Sequence, residues 1–525
     1  MSSASTSSAA VLRGDPGLLR LIDGLLMPGF TGTVPPRWLT DAVAGGLGAV
    51  CCFAGNITGA EQITALSAEL HGLGDQLVVA SDEEGGDVTR LEAGRGSRFP
   101  SAAALGRVDD VRATEEVARA LGALVRSAGV NLALAPSVDV NANSDNPVIG
   151  TRSFGADPAV VARHGAAFVR GVQDVGVAAC AKHFPGHGSV DVDSHTHLPV
   201  LDADLATLEA RDLVPFDAVV AAGVRTVMTA HVVSHALDDS APATWSSATV
   251  ALLRERGFTG VLICDALDMA AVAAPWGIGP AAVRALAAGV DLLCLGNPGN
   301  VSAVGDGRVG EDLRQFTEVR AAVLAGLDSG AVTVHRLEDA AERVAELAQW
   351  CREQRRRPST AGSGLLDETV PPLSARIASA ALDVVGDVRL SGVPHVVDLR
   401  THVNHAAGRS TPKLLEALRR RAPGTTTTPL EAAGTVQDRV AAALTGSTAT
   451  GSARGTAVVA VVAEPHRDPA QAALLAELLA VVPDAVVVQT GWPDERARLG
   501  TRSVTTWGSG RAAAEAAADA LLPAP

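Results

Sequence analysis

The chain has 525 residues, of which 47% are hydrophobic and 19% are charged, and its formal net charge is −15. This length exceeds what one hydrophobic core usually supports, so we expect a globular protein with at least two domains. The acidic balance argues against nucleic acid as a partner, because the binding of phosphate backbones needs clustered Lys and Arg.

The N-terminal stretch and the six cysteines indicate the compartment. The first apolar segment, Leu18 to Leu26, is interrupted by Arg20 and Asp23, so neither a signal peptide nor a membrane span is predicted. The cysteines show no CxxC spacing, and all but Cys351 lie in apolar runs, where a free thiol behaves as a small hydrophobe. We therefore expect a cytoplasmic protein with no membrane partner.

Short apolar runs alternate with longer amphipathic stretches from residue 18 to about residue 300. The apolarity of each run is continuous, which indicates strands buried on both faces, as in a parallel sheet covered by helices. Eight such units favour a (β/α)8 TIM barrel, with a doubly wound sheet as the weaker option. The predicted strands are Leu25–Phe30, Gly48–Ala54, Leu77–Glu83, Val130–Val140, Val177–Phe184, Arg225–Val232, Gly260–Leu267 and Val290–Gly296.

A second alternation of strands and helices follows the basic run REQRRR and the stretch PSTAGSG, which are typical of a solvated helix end and a linker. This alternation predicts a smaller α/β sandwich domain. The expected organisation is a barrel over residues 1–345, a helix end and linker over 346–370, and the sandwich over 371–525. The predicted strands of the sandwich are Val393–Arg400, Thr456–Glu464, Asp484–Gly491 and Arg502–Gly508.

The stretch AKHFPGHGSVDVDSHTHLP, residues 181–199, concentrates polar groups after the fifth predicted strand. Asp193 lies two residues before His195, and a carboxylate beside an imidazole fixes its tautomer and raises its pKa, which suggests an acid–base pair. Any single loop histidine could instead cap a turn or face solvent. The HxH of His195 and His197 leaves a metal site open, completed by His183, His187 or Asp265.

Polar residues also end several other predicted strands. A barrel gathers the carboxyl ends of its strands on one face, so we expect these side chains to lie together. Asp265 follows the apolar run GVLIC, where a carboxylate is costly unless it is paired or used; a helix cap or a structural ion pair is the alternative. The residues at the strand ends are Asp82, Asp139, Lys182 with His183, His231 and Asp265.

Several motifs occur in the order found in one enzyme family. KHFPGHG followed by DSH and LP is similar to the signature of glycoside hydrolase family 3, in its β-N-acetylglucosaminidase branch. SDEEGG, VIGTRSFG, VMTAHV, VLICDALDM and AAGVDLLCLG also resemble segments of that family. The resemblance covers about residues 18–345, and residues 371–525 resemble the second domain of two-domain members.

The resemblance implies roles for individual residues. Asp265 matches the nucleophile that forms a covalent glycosyl-enzyme intermediate, His195 the general acid/base, and Asp193 the carboxylate that pairs with it. The family uses no metal and no organic cofactor. Asp87 departs from the family pattern, because an arginine is usual at its position. The positions that match the binding site for the terminal N-acetylglucosamine are Asp82, Arg90, Arg152, Lys182 and His183.

The expected activity is that of a retaining exo-β-N-acetylglucosaminidase whose partner is a carbohydrate from cell-wall fragments or chito-oligosaccharides. A phosphorylase using the same residues is an alternative, because a neutral His195 would repel an incoming phosphate less than a carboxylate would. A metal-dependent amidohydrolase and a non-catalytic sugar-binding protein are the rivals from other classes.

Overall fold

The computed structural model describes residues 15–194, 197–298, 310–358, 372–400, 413–428 and 456–522. The chain forms two compact units. The first unit contains Met1–Glu84, Thr114–Asn146 and Ala156–Leu366, and the second contains Gly85–Ala113, Pro147–Gly155 and Asp367–Pro525. Two stretches from the N-terminal half of the chain therefore pack with the second unit, and the domain boundaries expected from the sequence stay a prediction.

The described residues contain a three-residue helix, Leu205–Thr207, and longer helices that lie before, between and after the strands. In chain order they are α1 (Pro16–Asp23), α2 (Arg37–Gly45), α3 (Ala60–Leu73), α4 (Ala102–Val108), α5 (Val111–Ser127), α6 (Pro158–Asp174), α7 (Val214–Ala221), α8 (Ser247–Glu255), α9 (Ala270–Trp276), α10 (Ile278–Ala288), α11 (Glu311–Ser329), α12 (Val334–Arg356), α13 (Pro372–Ala380), α14 (Lys413–Arg421), α15 (Pro469–Val481) and α16 (Arg511–Leu521).

An Asp-Pro pair begins α1, α6 and α15. In α6 the carboxylate of Asp157 accepts a hydrogen bond from the amide of Ala159, and in α15 Asp468 accepts from two amides of the first turn. Aspartate satisfies amides that have no partner inside the helix, and proline is tolerated where the missing N–H would be unpaired anyway. Local sequence thus sets where these helices start.

The strands of the first unit follow a parallel order around a curled sheet. Strands β7, β6, β5, β4, β3 and β2 are neighbours in that order, and β1 pairs with β8 in parallel. A parallel bridge between Ile263 and Leu292 joins β7 to the start of β8. These strands are β1 (Leu26–Pro28), β2 (Ala49–Cys51), β3 (Val78–Ser81), β4 (Leu132–Ala133), β5 (Ala178–Phe184), β6 (Thr226–Thr229), β7 (Val261–Cys264) and β8 (Leu293–Gly296).

The eight strands lie within the eight segments expected from the sequence, and the barrel prediction is confirmed. The strand residues from β1 to β8 are buried throughout the described part of the sheet, as the continuous apolarity of each run requires. Short strands outside the barrel sheet are Glu83–Gly85, Val88–Thr89, Val200–Leu201, Val233–Ser234 and Asp238–Pro242.

The second unit contains a six-stranded sheet. Its strands are β9 (Asp383–Val385), β10 (Val393–Asp398), β11 (Thr426–Thr428), β12 (Thr456–Val462), β13 (Val486–Gln489) and β14 (Ser503–Thr505), and their order across the sheet is β9-β14-β13-β12-β10-β11. The edge strand β9 runs antiparallel to β14, and the other pairs are parallel.

Both faces of this sheet are covered by apolar side chains. Along β12, Val459 and Val461 belong to one core with α14 and α16, whereas Val458, Ala460 and Val462 belong to another with α15. Successive side chains of a strand point to opposite faces, so one apolar run serves two cores. The α/β sandwich expected after the barrel is confirmed.

Within the described part of the chain, no single helix is both long and apolar enough to cross a membrane; α9 and α10 meet that test only when taken together, and a bend of 108° separates them.

Candidate active site

Lys182 carries a buried positive charge at the carboxyl edge of the barrel. Its side chain is 2% exposed, and Nζ lies 2.8 Å from Oδ1 of Asp82 and 2.8 Å from Oε1 of Glu84. A buried ammonium is tolerated only when it is paired, and removal of one partner of such a group costs about 3–5 kcal/mol. The structure thus brings together Asp82 and Lys182, which the sequence placed at the ends of two different strands.

Asp139 organises the backbone around His183. Its Oδ2 accepts from Nδ1 of His183 at 2.7 Å, and its Oδ1 accepts from the amides of His183 at 3.2 Å and His187 at 2.7 Å. Burial acts to raise the pKa of Asp139, but the charge and hydrogen bond of His183 and the charge of His187 outweigh burial and hold this pKa well below its ordinary value. Asp139 therefore stays ionised and fixes the His183 ring.

His187 connects this cluster to the loop that follows β5. Its Nε2 lies 2.9 Å from the hydroxyl of Ser194, and its ring packs edge-on to that of His183 at 5.9 Å between centroids. Burial lowers the pKa of His187 to about 4, and the charge of His183 acts in the same direction. The charges of Asp139 and Asp265 act to raise that pKa but are outweighed by burial.

Asp265 follows β7 on a loop that hydrogen bonds hold on both sides. Its Oδ1 accepts from the amide of Ala266 at 2.8 Å, while Nε2 of His231 donates to the carbonyl of Ala266 at 3.0 Å. That carbonyl can only accept, so His231 carries its hydrogen on Nε2. Asp268 accepts from the amide of Asn297 after β8 at 2.8 Å. The half-buried Asp265 carboxylate is therefore presented by a fixed backbone.

The acid–base pair proposed from the sequence is only partly described. His195 lies outside the described residues, and so does its geometry relative to Asp265. Asp193 lies inside them, and its backbone carbonyl accepts from the amide of His197 at 2.9 Å. The pairing of Asp193 with His195 stays a prediction, although Ser194 between them is bonded to His187 as described above.

The two arginines expected to bind the sugar belong to the second unit. Arg152 lies in a short 3-10 turn, Gly150–Arg152, is 7% exposed, and donates from Nη1 to the carbonyl of Val148 at 3.4 Å. Arg90 follows the short strand Val88–Thr89 and is half-buried. Their binding roles stay predictions.

Two residues of the described cluster had no assigned role in the sequence analysis. Glu84 lies in the SDEEGG segment, where a second carboxylate near Asp82 was visible in the letters. Asp139 was recognised as a strand-end residue, but its hydrogen bonds to His183 and His187 depend on the pairing of Ser137 with Lys182 in the barrel. Among the described residues, which exclude His195, no group of three or more His, Cys, Asp or Glu side chains is arranged to hold a metal ion.

Comparisons with known proteins agree with the fold. The model of the glycosyl hydrolase family 3 N-terminal domain matches residues 35–347, more than half of the chain. "Beta-hexosaminidase A" of Pseudoalteromonas piscicida is 33% identical over 378 residues, which are 67% of this chain and 62% of that relative. "Beta-hexosaminidase" of Thiobacillus denitrificans is 37% identical over 270 residues, which are 50% of this chain and 74% of that relative.

A solved structure resembles nearly the whole chain. It is that of a glycoside hydrolase family 3 β-N-acetylglucosaminidase from Paenibacillus sp. str. FPU-7, with a TM-score of 0.81, 31% identity and coverage of 96% of each chain. The fold and these matches define a member of a glycoside hydrolase family that is built on a (β/α)8 barrel. The chain belongs to glycosyl hydrolase family 3. The chain spans less than two thirds of the length of the Pseudoalteromonas relative, 62%.

Proposed function

We propose that this chain is a retaining exo-β-N-acetylglucosaminidase that releases the non-reducing-end sugar from cell-wall fragments or chito-oligosaccharides. The observation that carries the proposal is the placement of the Asp265 carboxylate directly after β7, at the same carboxyl edge of the parallel barrel sheet as the Lys182, Asp82 and Glu84 contacts. Similar proteins bear the names β-hexosaminidase and β-N-acetylglucosaminidase, which agrees with this activity.

In the first step Asp265 attacks C1 of the sugar, the bond from C1 to the aglycone oxygen breaks, and protonated His195 gives its proton to that oxygen. The products are a covalent glycosyl-enzyme ester and the free aglycone. In the second step His195 takes a proton from water, the water oxygen attacks C1, and the carboxylate of Asp265 is released. Asp193 is proposed to orient the His195 imidazole throughout.

The binding roles follow from the charges of the cluster. The Asp82 carboxylate is partly exposed, so it can accept hydrogen bonds from two sugar hydroxyls while Lys182 keeps it in place. His183, held through Nδ1 by Asp139, presents its other nitrogen as a hydrogen-bonding group. Arg90 and Arg152 are proposed as donors to the same sugar.

A single assay tests the activity. An aryl β-N-acetylglucosaminide is incubated with the full chain with and without added phosphate, and the sugar product is identified by mass spectrometry. We expect free N-acetylglucosamine in both arms. Sugar 1-phosphate in the sample with added phosphate would show that the enzyme is a phosphorylase and not a hydrolase. No observation on the described residues favours phosphorolysis. Loss of turnover in a chelator would favour the amidohydrolase instead.

The covalent step has its own readout. A slow substrate that accumulates the intermediate is expected to add one sugar mass to the peptide that contains Asp265. The Asp204→Asn variant is the matched control, because Asp204 is an exposed helix cap bonded to Thr207 and is expected to leave labelling unchanged. Labelling of any other peptide would refute the assignment of the nucleophile.

We also propose that the enzyme works in the cytoplasm on fragments that arise in peptidoglycan recycling. All six cysteines are free and buried, which suits a reducing compartment. Cell fractionation with the aryl substrate as the readout tests this proposal, and activity confined to the medium or an envelope fraction would contradict it.

A further inference from the structure

Asp87 accepts hydrogen bonds from two distant segments of the second unit. Its Oδ2 accepts from the hydroxyl of Thr151 at 2.7 Å, and its Oδ1 accepts from the amide of Ser509 at 2.5 Å and from the hydroxyl of Ser509 at 2.7 Å. We call these three residues the Asp87 joint. The joint connects the stretches 85–113 and 147–155 with the loop that precedes α16, 422 residues along the chain from Asp87.

The joint lies next to both arginines that the proposed function assigns to the sugar. Arg90 is three residues after Asp87, on the same short stretch that contains the strand Val88–Thr89. Arg152 is the immediate neighbour of Thr151 in the 3-10 turn Gly150–Arg152. A displacement of the Asp87 carboxylate would therefore act on the backbone that carries each arginine.

Other contacts fasten the stretch 85–113 to the same part of the unit. The Ser101 hydroxyl donates to the carbonyl of Trp507, and Nζ of Lys413 donates to the carbonyl of Gly94 at 2.7 Å. Glu92, which is 6% exposed, accepts from Arg511 at 3.5 Å. The stretch is thus bonded to α14 and to the start of α16.

The backbones at the joint touch, so the joint has little room to rearrange. Gly86 has a φ of +56°, and a Cβ built on it would lie 2.6 Å from Cα of Ser101. A Cβ on Gly510 would lie 2.6 Å from the carbonyl oxygen of Gly86. Both positions therefore require glycine, and the backbone just before Asp87 is in direct contact with Ser101 and Gly510.

We propose that Asp87 is a positioning residue through which the loop containing Ser509 holds Arg90 and Arg152 in their sugar-binding geometry. The proposal rests on the proposed function and extends it by naming the residue that positions two of the proposed sugar-binding side chains. The Ser509 amide can only donate, and an arginine side chain has no acceptor, so arginine could not replace the carboxylate at this contact. The aspartate at residue 87, where the family usually has arginine, is therefore needed for the hydrogen bond from Ser509 in this chain.

The test is a kinetic comparison of Asp87→Ala, Ser509→Ala and the double variant with the wild type, using the aryl β-N-acetylglucosaminide. Misplaced arginines would bind the substrate and the transition state less tightly by similar amounts. KM is therefore expected to rise about tenfold while kcat stays within about threefold. Because Asp87 and Ser509 share one contact, the double variant is expected to raise KM no further than Asp87→Ala alone.

Thr427→Val is the matched control. Thr427 lies in the edge strand β11 of the second unit's sheet and its hydroxyl donates to the carbonyl of Val396, whereas Ser509 follows β14 near the opposite edge. We expect the KM of Thr427→Val to be that of the wild type. If Asp87→Ala does not fold, Ser509→Ala decides alone: a KM raised about threefold or more supports the proposal. Hydrogen exchange should also quicken in residues 147–155 of Ser509→Ala but not of Thr427→Val.

The two levels of failure are separable. A wild-type enzyme that turns over no β-N-acetylhexosaminide would remove the proposed function, and this inference with it. An active wild type with an unchanged KM in both Asp87→Ala and Ser509→Ala overturns the inference alone. A fall in kcat at constant KM would also overturn it, because binding would then not be what the joint controls.

Discussion

The two sheets of this protein use the carboxyl ends of their parallel strands differently. In the barrel, the strand ends carry ionised groups in mutual contact, such as Lys182 with Asp82 and Glu84. In the second unit, Asp398 at the end of β10 pairs with Arg400, whereas two other strand ends carry neutral hydroxyls: Thr490 donates to the carbonyl of Val462 at 3.2 Å and Thr506 donates to that of Gln489 at 3.1 Å. A neutral hydroxyl that donates to a backbone carbonyl has no donor left for a ligand. A charged side chain in an ion pair can still form strong hydrogen bonds with a ligand.

This difference teaches that topology places candidate groups together and side-chain chemistry decides their use. Parallel α/β architectures commonly place ligands at this edge of the sheet. Here the charged residues of the proposed chemistry lie at the barrel edge of the first unit. Four predictions test this difference between the two sheets.

Asp265→Asn should break the barrel site almost completely. The amide keeps the shape of the side chain but is a very poor nucleophile, so kcat/KM on the aryl substrate is expected to fall by about 10⁴-fold or more. The thermal midpoint should stay close to that of the wild type, because Asp265 is half-buried and its acceptor oxygen is retained. Activity within tenfold of the wild type would exclude Asp265 as the nucleophile.

Lys182→Met should show how much the buried charges at the barrel edge contribute to stability, compared with an exposed ion pair of the second unit. The change leaves the partly exposed Asp82 and the buried Glu84 without the Lys182 ammonium, and we expect the barrel to lose about 3–5 kcal/mol of stability along with most of its activity. The comparison change in the second unit, Arg420→Met, breaks a pair with Glu515 in which the arginine side chain is 54% exposed. It should cost about 1 kcal/mol or less. Chemical unfolding of both variants measures the contrast, and equal losses would contradict it.

Asp139→Asn should act through His183 and not through direct contact with the sugar. Asparagine cannot accept at both oxygen positions, so one of the amide or ring donors now bonded to Asp139 loses its partner. We expect kcat/KM to fall about 10- to 100-fold, as for the loss of one charge-assisted hydrogen bond. Thr490→Val, at an end of the second sheet, should keep kcat/KM within about threefold and cost about 1 kcal/mol. If Thr490→Val lowered kcat/KM as much as Asp139→Asn, the claim that the activity depends on the strand ends of the barrel and not on those of the second sheet would be wrong.

Buried histidines in both units should give the smallest effect, seen in the pH dependence of stability. Burial lowers the pKa of His71 in the barrel to about 4, and burial also lowers the pKa of His395 in the second sheet. Both pKa values lie below that of the unfolded chain, so the unfolded state binds more protons between pH 6.5 and 4 and the free energy of unfolding falls as the pH falls.

His71→Gln removes one such group while keeping a side-chain donor for the carbonyl of Gly129. We expect the slope of unfolding free energy against pH to become shallower by up to about 1.4 kcal/mol per pH unit in this window, with a smaller change for His395→Gln. Denaturant unfolding at several pH values between 7 and 4.5 measures the slopes. An unchanged slope in His71→Gln would show that His71 titrates normally in the folded barrel.

Much of the architecture could be predicted because its signals are local. The strands of the barrel are continuous apolar runs, and β12 alternates between two cores within seven residues. The strands β9 and β11 were not predicted, since each has three residues and neither is strongly apolar. Asp265, Lys182 and Asp82 were also predicted as strand-end residues, because a polar group directly after an apolar run is visible in the letters alone.

The sequence by itself thus determined the barrel, the sandwich and the residues at the strand ends, since periodicity and motif spacing act over a few neighbouring positions. Only the tertiary structure decided which of those residues meet: Lys182 with Asp82 across 100 residues, Asp139 with His183 across 44, and Asp87 with Ser509 across 422. The physical reason is that a hydrogen bond needs two atoms about 3 Å apart, and such a distance between remote residues results from the packing of the whole chain.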